Sequence, residues 1–226
     1  MISGLTILFG FPAPIILALM INEVKNSAFK RTVQTITYMP YFISMVVMCG
    51  LLKTFCMQDG LFSQIAMAFG GSGQNFLANP DYFRTIYVLS DIWSGIGWNS
   101  IIYLAALSSI DQEQYEAARV DGANRFKQMI HITLPGLVPT IMVLFILRMG
   151  NILNVGYEKI LLLYNSATYI TADVISTYTY RLSFGGSGNP MYSKSTAIGL
   201  FNTIINVFFL MLTNMISKKA TDAGLF

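Results

Sequence analysis

The stretch from Glu116 to Pro135, EAARVDGANRFKQMIHITLP, is a polar island of twenty residues between two long apolar runs. It holds Glu116, Arg119, Asp121, Arg125, Lys127 and the titratable His131, in a chain of which only 11% is charged. A segment of that polarity belongs outside lipid and faces a partner there. Gln112 to Val120 is made of good helix formers, Gly122 interrupts them, and Asn124 is placed to cap a second short helix that Pro135 should end. The expectation is a compact knob of helix, glycine turn and helix on one side of a membrane.

The rest of the chain is that membrane part. Apolar residues make up 54% of the 226, and several runs approach the roughly 20 residues with which a helix crosses a bilayer. About five such runs leave no room for a soluble catalytic domain, so the whole of 1–226 reads as one transmembrane unit, with the polar island, 109–135, inside it. The net charge of +3 is modest, and the basic residues are scattered, which argues against nucleic acid as a partner. Cys49 and Cys56, seven residues apart, would stand roughly 10 Å apart on one helix, beyond disulfide reach. Apolar residues begin at Met1 with no basic leader, so no cleavable signal is expected.

Five spans follow in order. Span A, Gly4 to Ile21, contains Pro12 and Pro14, which should bend it. The loop after it carries Lys25, Lys30 and Arg31 against Glu23 and is placed inside by the positive-inside rule. Span B, Val33 to Phe55, leads out to a glycine-rich external loop with a short amphipathic piece, Leu61 to Phe69. Span C, Thr85 to Leu107, returns inside, and the charged island therefore lies in the cytoplasm. Span D, Gly136 to Val155, leads to an external stretch whose middle, Asp173 to Leu182, should be helical, closed by a Gly185–Pro190 turn. Span E, Thr196 to Ile216, ends in Lys218 and Lys219. Eight of the fourteen basic residues fall in the three short inner segments.

The spacing Glu116-Ala117-Ala118, Asp121-Gly122, then Ile132-x-Leu134-Pro135 resembles the EAA loop of the membrane permeases of binding-protein-dependent ABC importers, and from Phe9 to Phe226 the chain is similar to LplB-type carbohydrate permeases with a MetI-like core. The resemblance implies an all-α, polytopic membrane helix bundle, the five-helix core of a type I importer permease, in the bacterial inner membrane. It implies an oligosaccharide or related glycan as cargo. It implies three kinds of partner besides lipid: a second, homologous permease, a cytoplasmic ATPase dimer that grips the loop, and an extracytoplasmic solute-binding protein. In such permeases one further span precedes span A; here Met1 falls near the start of span A, so that segment is expected to be missing. Within the loop, Glu116 is expected to hold the fold through Arg119 or Arg125, Ala117 and Ala118 to allow close approach to a protein surface, and Gly122 to make the turn.

Two ionisable residues lie inside spans, Asp91 in C and Arg148 in D, both roughly 10 to 12 Å below the outer surface. Charges in hydrocarbon are costly unless paired or watered. The expectation is an Asp91–Arg148 ion pair, or both facing an aqueous cavity. The run Arg148 to Tyr164 matches the LplB-type pattern, and Asn151, Asn154, Tyr157 and Glu158 offer donors, acceptors and an aromatic face suited to sugars. Asparagines that only bridge helices remain an alternative. Trp93 and Trp98 suit sugar stacking or interfacial anchoring. No metal site is expected, since His131 stands without a second His or Cys, and no cofactor. With no G-x-x-x-x-G-K-[ST] the chain should not hydrolyse ATP. Rival readings are a permease for an amino acid, peptide or anion, a secondary transporter, for which internal repeats are lacking, and a membrane enzyme, for which clustered catalytic residues are lacking.

Overall fold

The computed structural model describes residues 1–185, 189–221 and 224–225. Among them every regular element is helical. The helices used below are α1 (Ile2–Glu23), α2 (Ser27–Tyr38), α3 (Met45–Cys56), α4 (Leu61–Ala68), α5 (Pro80–Ser108), α6 (Gln112–Val120), α7 (Arg125–Met149), α8 (Tyr157–Leu163), α9 (Ile175–Phe184) and α10 (Tyr192–Thr221). Four stretches are long and apolar enough to cross a membrane: Ile2–Glu23, Met45–Ala68, Arg125–Met149 and Tyr192–Lys219. The fifth expected span is α5, whose 29 residues reach roughly 43 Å but are diluted by Asp91, Ser94 and Asn99. Of the expected Gly185–Pro190 turn, residues 186–188 lie outside the described residues.

The prolines act through wide turns. Thr6–Gly10, just before Pro12 and Pro14, and Met129–Thr133, just before Pro135, are π-helical turns. The i→i+5 bonding of a π turn makes room for a ring and a missing donor while the helix continues. Pro135 therefore does not end the second loop helix, as the sequence suggested: α7 runs from Arg125 through it to Met149. Span D begins further inside than expected and stops earlier, at a turn over Gly150–Leu153.

Span B also differs. The expected continuous helix Val33–Phe55 is broken between Tyr38 and Met45, where a 3₁₀ turn, Met39–Phe42, contains Pro40. Ser44 restarts the chain as N-cap of α3, its Oγ accepting from Val47 N at 3.3 Å. The break lets α2 lie on α5, where buried Gly97 meets the Thr37–Tyr38 backbone so closely that a Cβ there would overlap the Thr37 carbonyl and stand 2.8 Å from Tyr38 N.

α5 is the hub: α1, α2 and α7 pack on it, and α10 packs on α7 and α9. Two apolar clusters form along α5. One joins Phe83, Tyr87 and Val88 to Met48, Cys49 and Cys56 of α3 and to Ile160 and Leu163 of α8; the other joins Tyr103 and Leu107 to Ala18 and Leu137. Both cysteines are buried and unpaired, on one helix. Elsewhere large apolar side chains face outward, as along α10 at Leu200, Phe201, Ile204, Phe208 and Met211, the surface a bundle presents to lipid or to another helix.

Candidate functional site

The knob is built from caps. Asp111 starts α6, accepting from Glu113 N at 3.0 Å. At its end Ala123 N donates to Ala118 O (2.8 Å) and Gly122 N to Arg119 O (3.1 Å), the Schellman arrangement, with Gly122 at φ +78° in the left-handed region. Asn124 then caps α7 by accepting from Lys127 N at 2.9 Å. Glu116, Ala117, Asp121 and Gly122 are exposed, Ala118, Ile132 and Leu134 are half-buried, and Pro135 is exposed.

Glu116 does not hold the knob together: its side chain makes no ion pair among the described residues, and Arg125 instead reaches Glu23 at the end of α1 (3.4 Å). Arg119 stands three residues and Arg125 nine residues after Glu116, spacings that do not fix direction, and the turn at Gly122 carries Arg125 toward the α1–α2 loop. The contacts that do tie the knob to the bundle were not legible beforehand. The Tyr115 hydroxyl and Thr133 Oγ1 share a hydrogen bond of 3.0 Å, and Gln128 Nε2 donates to Ala123 O at 2.8 Å. Beside them a cavity of about 870 Å³ opens between the knob and the α1–α2 loop.

At the other end of α7 lies a polar cleft of two lobes, about 320 and 110 Å³, both lined by Thr6, Asp91, Arg148 and Asn151. Asp91 and Arg148 thus share a cleft, but the expected ion pair between them is replaced. Asp91 Oδ1 receives a bond from Lys159 Nζ at 3.4 Å, while Arg148 is exposed and forms no ion pair among the described residues. Sequence counting had placed the two groups at one depth; it could not supply rotation about the helix axis, nor that α8 folds back against α3. Lys159 is 1% exposed, donates to the Tyr87 carbonyl at 3.1 Å, and lies 4.5 Å from the Tyr87 ring centre. Its signal in the sequence was a lone lysine in the run Glu158-Lys159-Ile160-Leu161-Leu162.

Asn154 lines the smaller lobe and donates to Asn151 Oδ1 at 3.2 Å. Tyr157 and Glu158 are exposed outside both lobes, with 3.5 Å between the Tyr157 hydroxyl and Glu158, and Tyr157 stacks on Tyr180. Trp93 is turned away: two residues on from Asp91 along α5, it lines an apolar groove of about 570 Å³ with Met48, Phe55 and Phe62. Trp98 stacks on Tyr41 at 4.6 Å.

The segment after the cleft is stapled by Asp173 and Arg181, whose guanidinium donates to both carboxylate oxygens at 2.9 and 2.7 Å. Those bonds, helped by the Thr177 hydroxyl, hold the Asp173 carboxyl below the usual carboxylate range despite partial burial, and hold Arg181 above its ordinary value.

Residues 10–222 match the family described as "Binding-protein-dependent transport system inner membrane component". Among curated proteins the chain is similar to Protein LplB of Bacillus subtilis (strain 168), 43% identical over all of this chain and 70% of that protein. It is also similar to the polygalacturonan/rhamnogalacturonan transport system permease protein YteP of the same organism, 41% identical over 99% of this chain and 69% of that one. Among solved structures it resembles a chain of a bacterial alginate ABC transporter in complex with alginate pentasaccharide-bound periplasmic protein, with a TM-score of 0.94, 47% identity and coverage of 99% of this chain and 77% of that chain. These likenesses cover nearly the whole of an apolar helix bundle, and the chain belongs to the binding-protein-dependent transport system inner membrane components, the permease subunits of ABC importers.

Proposed function

We propose that this chain forms half of the translocation path for an oligosaccharide or related glycan, with a second, homologous permease forming the other half. ATP hydrolysis takes place on a cytoplasmic ATPase dimer that grips the knob from Glu116 to Pro135, and an extracytoplasmic binding protein delivers the sugar. The observation that carries this reading is that one helix, α7, begins at the exposed knob and ends at Arg148 in the polar cleft. Closure of the ATPases on ATP moves the knob, and α7 transmits the movement to the cleft. Such coupling requires that the two states differ in contacts at the knob. The hydrogen-bonding character of Asn151 and Asn154 suits hydroxyl-rich cargo, and the relatives with stated cargoes are named for glycans, polygalacturonan and alginate among them.

The test is co-purification of the chain with a candidate homologous permease and a candidate ATPase from the same genome, followed by ATPase measurements with the binding protein and a glycan panel. Stimulation by a loaded binding protein in a stable complex is expected. Formation of a complex that responds only to amino acids or peptides would overturn the glycan assignment, and a chain that transports on an ion gradient without any ATPase would overturn the importer reading.

A further inference from the structure

We infer that Arg148 receives a carboxylate of the cargo, so that the oligosaccharide carried is an acidic one built of uronate units, and that the Asp91–Lys159 pair is what keeps Arg148 free for it. This rests on the glycan reading above. Three side chains of the charged types line the cleft, Asp91, Lys159 and Arg148. Lys159 is sequestered: it is 1% exposed and its ammonium is engaged by the Tyr87 carbonyl, the Tyr87 ring and Asp91 Oδ1. Asp91 and Lys159 cancel, and the cleft is left with one net positive charge, on Arg148.

That charge is in reach of a ligand. Arg148 is exposed, sits in the last turn of α7, opens on both lobes, and has no ion-pair partner among the described residues. A guanidinium without a counter-charge in a partly enclosed cleft is costly, and it presents a planar fork that fits a carboxylate with two parallel hydrogen bonds. Asn151 lines both lobes beside it, with Asn154 on its amide oxygen, and serves the neighbouring hydroxyls. A neutral sugar fills the same space but leaves the guanidinium without a counter-charge, and discrimination comes from that difference. The choice of partner for Asp91 decides the matter. Were Asp91 paired with Arg148, the remaining cation would be Lys159, buried where no sugar reaches it.

The experiment uses the full complex with its binding protein in lipid nanodiscs. ATPase stimulation is measured with an oligogalacturonate and with the same oligomer methyl-esterified, which keeps the sugar skeleton and removes the charge. Because the binding protein is common to every arm, a change in the acid-to-ester ratio between variants arises in the permease. Wild type should favour the acid, and Arg148→Gln should lower the ratio by roughly tenfold or more, the effect expected for loss of a charged hydrogen-bonded pair. Arg148→Lys should retain part of it. Lys159→Met, which frees Asp91 to compete for Arg148, should lower the ratio too; if that variant fails to assemble, the two Arg148 variants decide alone. An unchanged ratio in Arg148→Gln, or a wild type stimulated only by the neutral ester, overturns the inference and leaves the glycan reading standing. Stimulation by neither oligomer nor by any other glycan overturns both.

Discussion

Gly122 offers a graded test of the knob. Its φ of +78° lies where side chains with a Cβ are strained, yet a Cβ built there meets nothing within 4 Å. Within this chain, therefore, substitution is opposed by backbone conformation and not by space. An alanine in the left-handed region costs roughly 1–2 kcal/mol, asparagine less because it visits that region readily, and a β-branched residue more. The turn is set by the two bonds from Ala123 N and Gly122 N to Ala118 O and Arg119 O, so the strain is relieved by opening the Schellman turn and swinging α6 relative to α7. We expect ATPase-subunit retention and binding-protein-stimulated uptake to fall in the order Gly, Asn, Ala, Val, with Gly122→Val reaching the membrane in normal amount but losing at least tenfold in uptake, the equivalent of about 1.4 kcal/mol. Uptake assayed in cells beside pull-down of the ATPase from detergent extracts separates assembly from coupling. Normal uptake with Gly122→Val refutes the reasoning. So does Gly122→Asn as damaging as Gly122→Val, since that ordering follows side-chain bulk and not left-handed strain.

Three further expectations follow from the bundle. Asp91→Asn leaves the buried Lys159 ammonium without its carboxylate and should destabilise by about 3 kcal/mol, Lys159→Met should cost less, and the double variant should recover much of the Asp91→Asn loss; additive losses in thermal unfolding would count against the pair. Gly97→Ala places a methyl group on the Thr37 carbonyl and should force α2 away from α5, lowering stability by about 1–3 kcal/mol, whereas Gly199→Ala, with open space around it, should be silent; equal melting temperatures for the two variants would contradict the packing. The Asp173 carboxyl is held low in the folded state, so its contribution is fully present above its unfolded value, about 3.9, and is lost as pH falls through the lower folded value. Asp173→Asn should therefore cost about 0.5–1 kcal/mol at pH 7, allowing for solvent screening, and the gap to wild type should narrow as pH falls below roughly 4; a gap of constant size from pH 7 down into acid would show that the staple is not electrostatic.

Much of this protein is legible in its order of residues, and the reason is the bilayer. A solvent that cannot hydrogen-bond admits only helices and closed barrels as spanning structures, and apolar runs near 20 residues fit the helix and not the shorter strand of a barrel, so the runs alone announced an all-α bundle. The knob was equally readable because its determinants are local: Gly122 for the left-handed turn and Asn124 for the cap act on backbone groups within a few residues of themselves. Proline was readable in position but not in consequence. Pro40 lies in a break of span B, and Pro135 does not stop α7, because a preceding π turn absorbs the missing hydrogen bond at one place while a 3₁₀ turn and a fresh cap replace it at the other. What the tertiary structure alone decided is the pairing of charges. Asp91 and Arg148 were visible as intramembrane ions, but an α-helix turns 100° per residue, and depth says nothing of direction. Only the return of α8 onto α3, which carries the Lys159 side chain to α5 across 68 residues of chain, put Lys159 on Asp91 and left Arg148 open to the cleft.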